Sequence, residues 1–212
     1  VDGGANETIV LDATGTNSIT TPALTTNSTY TLVSVINTAT TCGRLVSGSA
    51  TVTVRQLPTA TVSGTTAVCQ NATAPLITFT GANGSAPYTF NYTINNVAQP
   101  PLTTVSGNSA TVTVPTNVVG SFAYTLVSVE SSGTPACSQN QTGTATVTVN
   151  PLPTATISGT ISVCLNDPEP QVVITGANGT APYTFTYTLN GGLPVTTLSS
   201  GNSLIINVPT TA

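Results

Sequence analysis

The sequence predicts an all-β protein built from tandem antiparallel β-sandwich repeats. The 212 residues are rich in Thr, Val, Ser, Asn, Ala, Gly and Pro, a composition that favours strands and tight turns over helices. Short runs alternate apolar with polar residues and are bounded by Asn-Gly or Gly-Asn, the pattern of half-buried strands joined by hairpin turns. Whole segments also recur at a constant spacing, which indicates repeated domains.

The spacing of the recurring segments is 95 residues. LPTATVSGT at 57–65 returns as LPTATISGT at 152–160, and 152 − 57 = 95. GANGSAPYTF at 81–90 returns as GANGTAPYTF at 176–185, and 176 − 81 = 95. This period is longer than that of solenoid repeats and suits an independent sandwich domain of about 100 residues. The sequence therefore predicts an elongated array of sandwiches with a period of 95.

The beginning of the chain belongs to the same series. GSATVTV at 48–54 matches GTATVTV at 143–149. YTLVSV at 30–35 also recurs at 124–129. We therefore predict three segments: the C-terminal part of one repeat at 1–56, a complete repeat at 57–150, and the N-terminal part of a further repeat at 151–212.

Seven strands are predicted in the complete repeat, at intervals of about ten residues. They cover 59–63, 76–80, 87–95, 102–105, 109–114, 121–129 and 144–150. This number and spacing indicate an immunoglobulin-like sandwich.

Two of these strands predict the composition of the core. Tyr88, Phe90, Tyr92 and Ile94 lie on one face of their strand, with Thr and Asn on the other. We expect these side chains to be buried between the sheets, as we expect for the apolar face of 144–150. The alternative is that the aromatic rings are exposed and form a platform on which sugars stack.

The junctions between the predicted repeats contain almost no free linker. RQLP at 55–58 and NPLP at 150–153 connect the last strand of one repeat to the first strand of the next. Proline fixes φ and favours extended backbone there. We expect a stiff array in which each repeat adds about 30–40 Å, and neighbouring repeats of the same chain as the main partners.

The four cysteines follow the repeat. Cys164 corresponds to Cys69, and Cys42 corresponds to Cys137. We predict a Cys69–Cys137 disulfide, which would stabilise the repeat by about 4 kcal/mol and indicate an oxidising compartment. Cys42 and Cys164 would be unpaired within this stretch, because their partners would lie beyond its ends. The alternative is four free thiols in a cytosolic protein.

The charge pattern excludes two classes of partner. Only 4% of the residues are charged, and Arg44 and Arg55 are the only cations. We expect no binding to nucleic acid or to anionic lipid surfaces, which require clusters of basic residues. No run approaches the roughly 18 apolar residues of a membrane span, so membrane insertion is not expected either.

No enzyme chemistry is predicted. The sequence contains no histidine, the commonest general base and metal ligand. The acidic triplet Asp167-Pro168-Glu169 could offer oxygens to calcium, but the preceding repeat has Ala72-Thr73-Ala74 at this place. We therefore interpret the triplet as a solvated loop and expect no catalytic residue, cofactor or metal.

Three sequence features resemble a known family. They are the LPTAT opening, the Val-Cys steps at 68–69 and 163–164, and the GANGxAPYTF segments. Together they resemble the PKD-like or immunoglobulin-like repeats of giant Bacteroidota adhesins exported by the type 9 secretion system, among them gliding-motility adhesins. The resemblance implies a filament on the bacterial cell surface that contacts surface polysaccharide or an abiotic substratum. It implies no catalytic residues.

Two functions remain open from the sequence. The first is a structural and adhesive segment of a long secreted filament. The second is a glycan-binding accessory module of a secreted polysaccharide-degrading enzyme. Many further copies of the repeat in the same gene would favour the first function, and a catalytic domain beside two or three copies would favour the second.

Overall fold

The computed structural model describes residues 6–12, 14–21 and 23–211, and these residues form β-strands and loops without an α-helix. Within these ranges no helix is long and apolar enough to cross a membrane. The prediction of an all-β fold is confirmed. The strands are β1 Ser28–Ile36, β2 Gly43–Val52, β3 Thr59–Ser63, β4 Thr66–Cys69, β5 Leu76–Ala82, β6 Tyr88–Ile94, β7 Val97–Ala98, β8 Leu102–Thr103, β9 Ser109–Thr113, β10 Gly120–Ser131, β11 Cys137–Asn140, β12 Thr144–Asn150, β13 Thr154–Ser158, β14 Gln171–Ala177, β15 Thr184–Tyr187, β16 Val195–Leu198 and β17 Ser203–Asn207.

Strands β3 to β12 form a two-sheet unit, which we call the central sandwich. One sheet has the order β3-β5-β9. The other has the order β4-β12-β10-β6-β7, with β8 also paired to β6 and β11 also paired to β10. The sheets meet through aromatic rings: the centroid of Phe79 on β5 lies 5.0 Å from that of Tyr92 and 5.8 Å from that of Phe90, both on β6. This arrangement confirms the predicted sandwich.

The strand predictions are mostly accurate in this unit. The strands at 59–63 and 144–150 have their predicted bounds. The other five are present with one or both ends displaced by one or more residues. The short strands β4, β7 and β11 were not predicted.

The chain changes sheets between β3 and β4. β3 pairs antiparallel with β5, whereas β4 pairs parallel with β12 in the opposite sheet. Gly64 lies at the change with φ +115°, and a Cβ added to it would lie 2.4 Å from the carbonyl oxygen of Leu76. Only glycine combines this backbone conformation with so close an approach.

The core of the central sandwich includes the two predicted faces and residues of other strands. Tyr88, Phe90 and Tyr92 are buried, as are the apolar residues of β12, whereas Ile94 is only half-buried against the core. A large apolar side chain contributes about 1.5–3 kcal/mol when fully buried. The buried core residues are Ala60, Ile77, Phe79, Tyr88, Phe90, Tyr92, Val114, Tyr124, Leu126, Val129, Ala145, Val147 and Val149. They lie between residues 60 and 149, so this unit has a complete core of its own.

The third segment repeats half of the central sandwich. β13-β14-β17 form a three-stranded sheet like β3-β5-β9, and β15 pairs with β16 as β6 pairs with β8. Side-chain contacts recur as well: the backbone N–H of Tyr88 donates to Thr104 Oγ1 at 2.9 Å, and that of Tyr183 donates to Ser199 Oγ at 2.9 Å.

The first segment repeats the hairpin that is missing from the third. β1 pairs antiparallel with β2, with Tyr30 opposite Ala50 as Tyr124 is opposite Ala145. Leu32 is 57% exposed, whereas Leu126 at the equivalent place is 1% exposed. The difference arises because β1 has no facing sheet among the described residues. The boundaries at 56/57 and 150/151 remain predictions.

Candidate functional site: the junctions and the polar strand faces

The two junctions differ: the one after the central sandwich is very short, and the one before it is held by a side-chain hydrogen bond. Three residues, 151–153, separate the end of β12 from the start of β13. Before the central sandwich, Arg55 Nη2 donates a 2.7 Å hydrogen bond to the carbonyl oxygen of Ser132, in the loop between β10 and β11. A bond to a charged donor contributes about 1.5–3 kcal/mol, more than one between neutral groups. The chain preceding the sandwich is therefore attached to it beyond the covalent connection.

The guanidinium of Arg55 occupies the space above Gly133. A Cβ added to Gly133 would lie 1.8 Å from Arg55 Nη1, and φ at this glycine is +131°. Glycine therefore leaves room for the arginine. The sequence predicted a tight junction but not this contact, because nothing in the local pattern connects Arg55 to a loop about 77 residues away.

A second contact holds the first strand after the junction. Pro58 is buried, and the backbone N–H of Ala60 donates to Gln141 Oε1 at 3.0 Å. Gln141 lies in the loop between β11 and β12. The start of β3 is thus joined to the strand hairpin that closes the repeat.

The predicted Cys69–Cys137 disulfide is not present. All four cysteines are free thiols, with Cys137 half-buried and the other three exposed. Cys69 ends β4 opposite Asn150, whereas Cys137 begins β11 opposite Ser131. Asn150 follows Val149, which is opposite Gly120 at the start of β10, whereas Ser131 is the last residue of β10. Cys69 and Cys137 are therefore separated by the length of β10, roughly 35 Å. A disulfide requires Cα atoms about 4–7 Å apart, so the fold excludes this bond within one sandwich.

The acidic triplet forms part of a turn. The backbone N–H of Cys164 donates to Asp167 Oδ2 at 2.7 Å, and the N–H of Asp167 donates to the Cys164 carbonyl at 3.2 Å. The equivalent turn of the central sandwich has no carboxylate, and there the backbone N–H of Ala72 donates to the Cys69 carbonyl at 3.1 Å. In the described part of the chain no three His, Cys, Asp or Glu residues are grouped as metal ligands.

Hydroxyl groups on facing strands are hydrogen-bonded in pairs on the polar faces. Most such pairs are threonines, and their oxygens lie 2.9–3.2 Å apart. Each hydroxyl can donate once and accept twice, so a paired hydroxyl can still bond outward. The pairs are Thr29 with Thr51, Thr80 with Ser109, Thr89 with Thr103, Thr125 with Thr144, Thr175 with Ser203 and Thr186 with Thr196.

A shallow polar groove of about 590 Å³ lies on the outer face of β6, β10 and β11. Amides and hydroxyls dominate its lining, and Asn91 Nδ2 donates to Ser128 Oγ at 2.9 Å there. The lining residues are Asn91, Ser128, Glu130, Ser138, Gln139 and Asn140. No sequence motif indicated this groove, because it joins β6 to the more distant β10–β11 hairpin and β11 itself was not predicted.

A second depression, of about 420 Å³, lies in the third segment between the start of β13 and Tyr183. In the central sandwich the end of β10 lies at the equivalent place. There Ser132 Oγ donates to the carbonyl oxygens of Ser85 and Ala86 at 3.0 and 2.6 Å. The depression therefore marks where a strand of the complete fold would lie.

These observations define an antiparallel β-sandwich protein whose strand pattern recurs along the chain. It is similar to a solved structure described as "Ca2+-stabilized adhesin helps an Antarctic bacterium reach out and bind ice", at 20% sequence identity and a TM-score of 0.42. The match covers 87% of this chain and 49% of the other, so the chain spans about half the length of that structure. Neither a protein-family model nor a curated protein matches the chain.

Proposed function

We propose that the chain is a structural and adhesive segment of a long secreted filament made of consecutive sandwich repeats. The observation that carries this proposal is the contact of Arg55 with Ser132 at the junction before the central sandwich. At the junction after it, only three residues separate β12 from β13. A junction of this kind limits rotation between consecutive units. The length of the filament then increases with the number of repeats, and its function depends on length and repetition without a catalytic centre.

The outer segments support the same proposal. β1–β2 and β13–β17 reproduce complementary parts of the central sandwich. Some of their exposed apolar residues, such as Leu32 and Val35, correspond to residues that facing strands cover in the central unit, Leu126 and Val129. Burial of such surface is the main source of sandwich stability. In a longer chain the neighbouring parts of each repeat would supply the missing strands.

The polar faces suit adhesion of low affinity per site. Paired hydroxyls lie on the polar faces of both sheets of the central sandwich, and only 4% of the residues are charged. Many weak contacts along one filament add up to strong attachment, because each contact raises the effective concentration of the next. The surface contacted would be polysaccharide or an abiotic substratum.

The LPTAT and GANGxAPYTF segments extend the proposal to a place in the cell. Their resemblance to repeats of Bacteroidota adhesins supports an extracellular position on the bacterial surface and export by the type 9 secretion system. A role in gliding motility is the most specific form of the proposal. Deletion of the gene should then remove surface filaments and stop cells from moving over agar or glass.

The polar groove favours a second candidate, glycan binding by an accessory module. Its amides, hydroxyls and the carboxylate of Glu130 are groups that bind sugar hydroxyls. Tyr88, Phe90 and Tyr92, however, are at most 8% exposed and cannot stack on a sugar ring. Glycan-array binding by the chain, abolished in Asn140→Ala and retained in the Val105→Ala control away from the groove, would favour this candidate.

The filament proposal is tested by measuring length against repeat number. Residues 57–151 can be duplicated within the chain once, twice and four times, and each chain imaged by electron microscopy. We expect the length to rise by about 30–40 Å per added copy. Particles whose longest dimension does not increase with copy number would contradict the proposal.

A further inference from the structure

We propose that a disulfide bond joins each repeat to the next. It would link the cysteine at the Cys69 position of one repeat to the cysteine at the Cys137 position of the repeat that follows. The inference rests on the proposed function, because it requires consecutive repeats in one chain. It differs from the bond predicted from the sequence, which would have closed a single repeat on itself.

Cys69 lies at the end of the sandwich that leads to the following segment. It is the last residue of β4 and is opposite Asn150, the last residue of β12. The backbone N–H of Gln70 also donates to the Asn150 carbonyl at 2.8 Å. Only three residues, 151–153, lie between Asn150 and the start of β13, so the Cys69 thiol is located at the junction with the following segment.

Cys137 lies at the opposite end, next to the preceding segment. It is the first residue of β11 and is opposite Ser131 on β10. Ser132, which follows Ser131, accepts the hydrogen bond from Arg55 at 2.7 Å through its carbonyl oxygen. The Cys137 thiol is therefore located at the incoming junction.

The repeat brings the two kinds of cysteine to the same junction. Arg55 is the repeat equivalent of Asn150, because the two residues are one period apart, 150 − 55 = 95. Because Asn150 is opposite Cys69, the corresponding cysteine of a complete preceding repeat would be opposite Arg55. That cysteine would lie one strand spacing, about 5 Å, from Arg55. On the other side of the junction, Cys137 lies one strand spacing from Ser131, which is the neighbour of Ser132, the residue that Arg55 contacts.

Both thiols are available for reaction. Cys69 is exposed and Cys137 is half-buried, and neither is bonded to another sulfur. An external disulfide such as oxidised glutathione would supply the oxidant. Two S–H bonds break and one S–S bond forms, while the two protons and two electrons convert the glutathione disulfide into two thiols. By the 95-residue period, the partner of Cys69 would be the cysteine at position 137 + 95 = 232.

The experiment uses the whole chain with one added repeat, residues 1–151 followed by residues 57–212, with Asn150→Arg in the first copy so that the new junction has the arginine found at 55. After oxidation with glutathione disulfide, alkylation and mass spectrometry, we expect one linked pair: Cys69 of the first copy with Cys137 of the second. Cys69→Ser in the first copy or Cys137→Ser in the second should abolish the link. The matched controls, Cys137→Ser in the first copy and Cys69→Ser in the second, should retain it.

Two results would overturn the proposal. One is a link between the two cysteines of a single copy, and the other is full alkylation of both junction cysteines in an oxidised chain with a β circular-dichroism spectrum. If oxidation prevents folding, a short bis-maleimide added to the folded, reduced chain gives a second measurement. It should cross-link the same pair, and the absence of that cross-link also refutes the proposal.

This outcome is separable from that of the filament proposal. A chain that lengthens with each added repeat but forms no junction disulfide refutes the disulfide alone. A chain that forms the disulfide but does not lengthen refutes the filament alone.

Discussion

The guanidinium of Arg55 donates a 2.7 Å hydrogen bond to the carbonyl oxygen of Ser132, which lies 77 positions further along the chain. Arg55 and Arg44 are the only basic residues, so trypsin has two cleavage sites in the protein. Arg44 is exposed on β2, whereas Arg55 is half-buried at the junction. Trypsin cleavage after Arg55 therefore reports whether the junction is closed.

Gly133→Ala should open this junction. The added Cβ would lie 1.8 Å from Arg55 Nη1, so the arginine must leave its position. Loss of about 1.4 kcal/mol, close to one charge-assisted hydrogen bond, would accelerate cleavage after Arg55 about tenfold. The control is Gly107→Ala, which also has a positive φ, +66°, but has no atom within 4 Å of the added Cβ. Equal cleavage rates in the two variants would show that the Arg55 contact does not restrain the junction.

Phe79→Ala should strongly destabilise the central sandwich. The ring is fully buried and lies against Phe90 and Tyr92 of the opposite sheet. Its removal leaves a cavity, and we expect a loss of about 3–5 kcal/mol in the free energy of unfolding. Urea denaturation followed by circular dichroism measures this loss. Val105→Ala at a fully exposed position should change the free energy by less than about 0.5 kcal/mol, and a similar loss in both variants would contradict the assigned core.

Gly64→Ala should disturb the passage from β3 to β4. The backbone there has φ +115°, and the new Cβ would lie 2.4 Å from the Leu76 carbonyl oxygen. Backbone strain alone costs on the order of 1–3 kcal/mol, and the clash adds to it. Thermal unfolding should show a lower Tm than for Gly48→Ala, whose Cβ meets no atom within 4 Å. An unchanged Tm would show that the change of sheet does not require glycine.

Two tyrosines should make the central sandwich sensitive to alkali. Burial raises the pKa of Tyr92 above its ordinary value of 10.0, and burial together with the charge of Tyr92 raises the pKa of Tyr124. The folded state thus holds these protons more tightly than the unfolded state. Their stabilising contribution is complete below about pH 10 and is lost as the pH rises through the folded-state pKa values.

The measurement is the midpoint of alkaline unfolding, followed by circular dichroism. Tyr92→Phe and Tyr124→Phe keep the rings but remove the titrating hydroxyls, so the midpoint should move to higher pH. Tyr30→Phe, outside the central sandwich, serves as the control. A midpoint that moves to lower pH, or moves equally in the control, would refute this assignment.

Strands with a strong two-residue alternation could be predicted from sequence. In β3 and β12 every second side chain is apolar and faces the core, so the pattern marks both the strand and its buried face. The aromatic face of β6 was predicted for the same reason. The sequence thus contains enough local information for the sandwich and for much of its core.

Strands that depend on distant partners could not be predicted in this way. β4 has only four residues and is held by parallel pairing with β12, about 80 positions away. β11, with the sequence CSQN, has no apolar alternation and exists because it continues the hairpin with β10. The polar groove depends on β11 and was missed with it.

The disulfide prediction failed for a related reason. A spacing of 68 residues between Cys69 and Cys137 says that both belong to one repeat, but not which end of a sheet each occupies. That information comes from strand register, which places Cys69 opposite Asn150 and Cys137 opposite Ser131. Register depends on pairing across the whole repeat and cannot be obtained from spacing.

The parallel pairing of β4 with β12 has a mechanical consequence. The chain enters the central sandwich through β3, continues directly into β4, and leaves the sandwich after β12. Tension on the two ends therefore pulls these strands in opposite directions along their common axis. The four residue pairs between Thr66–Cys69 and Val147–Asn150 are loaded in shear, so their hydrogen bonds must break together instead of one after another. The pair acts as a clamp that resists forced extension of the protein.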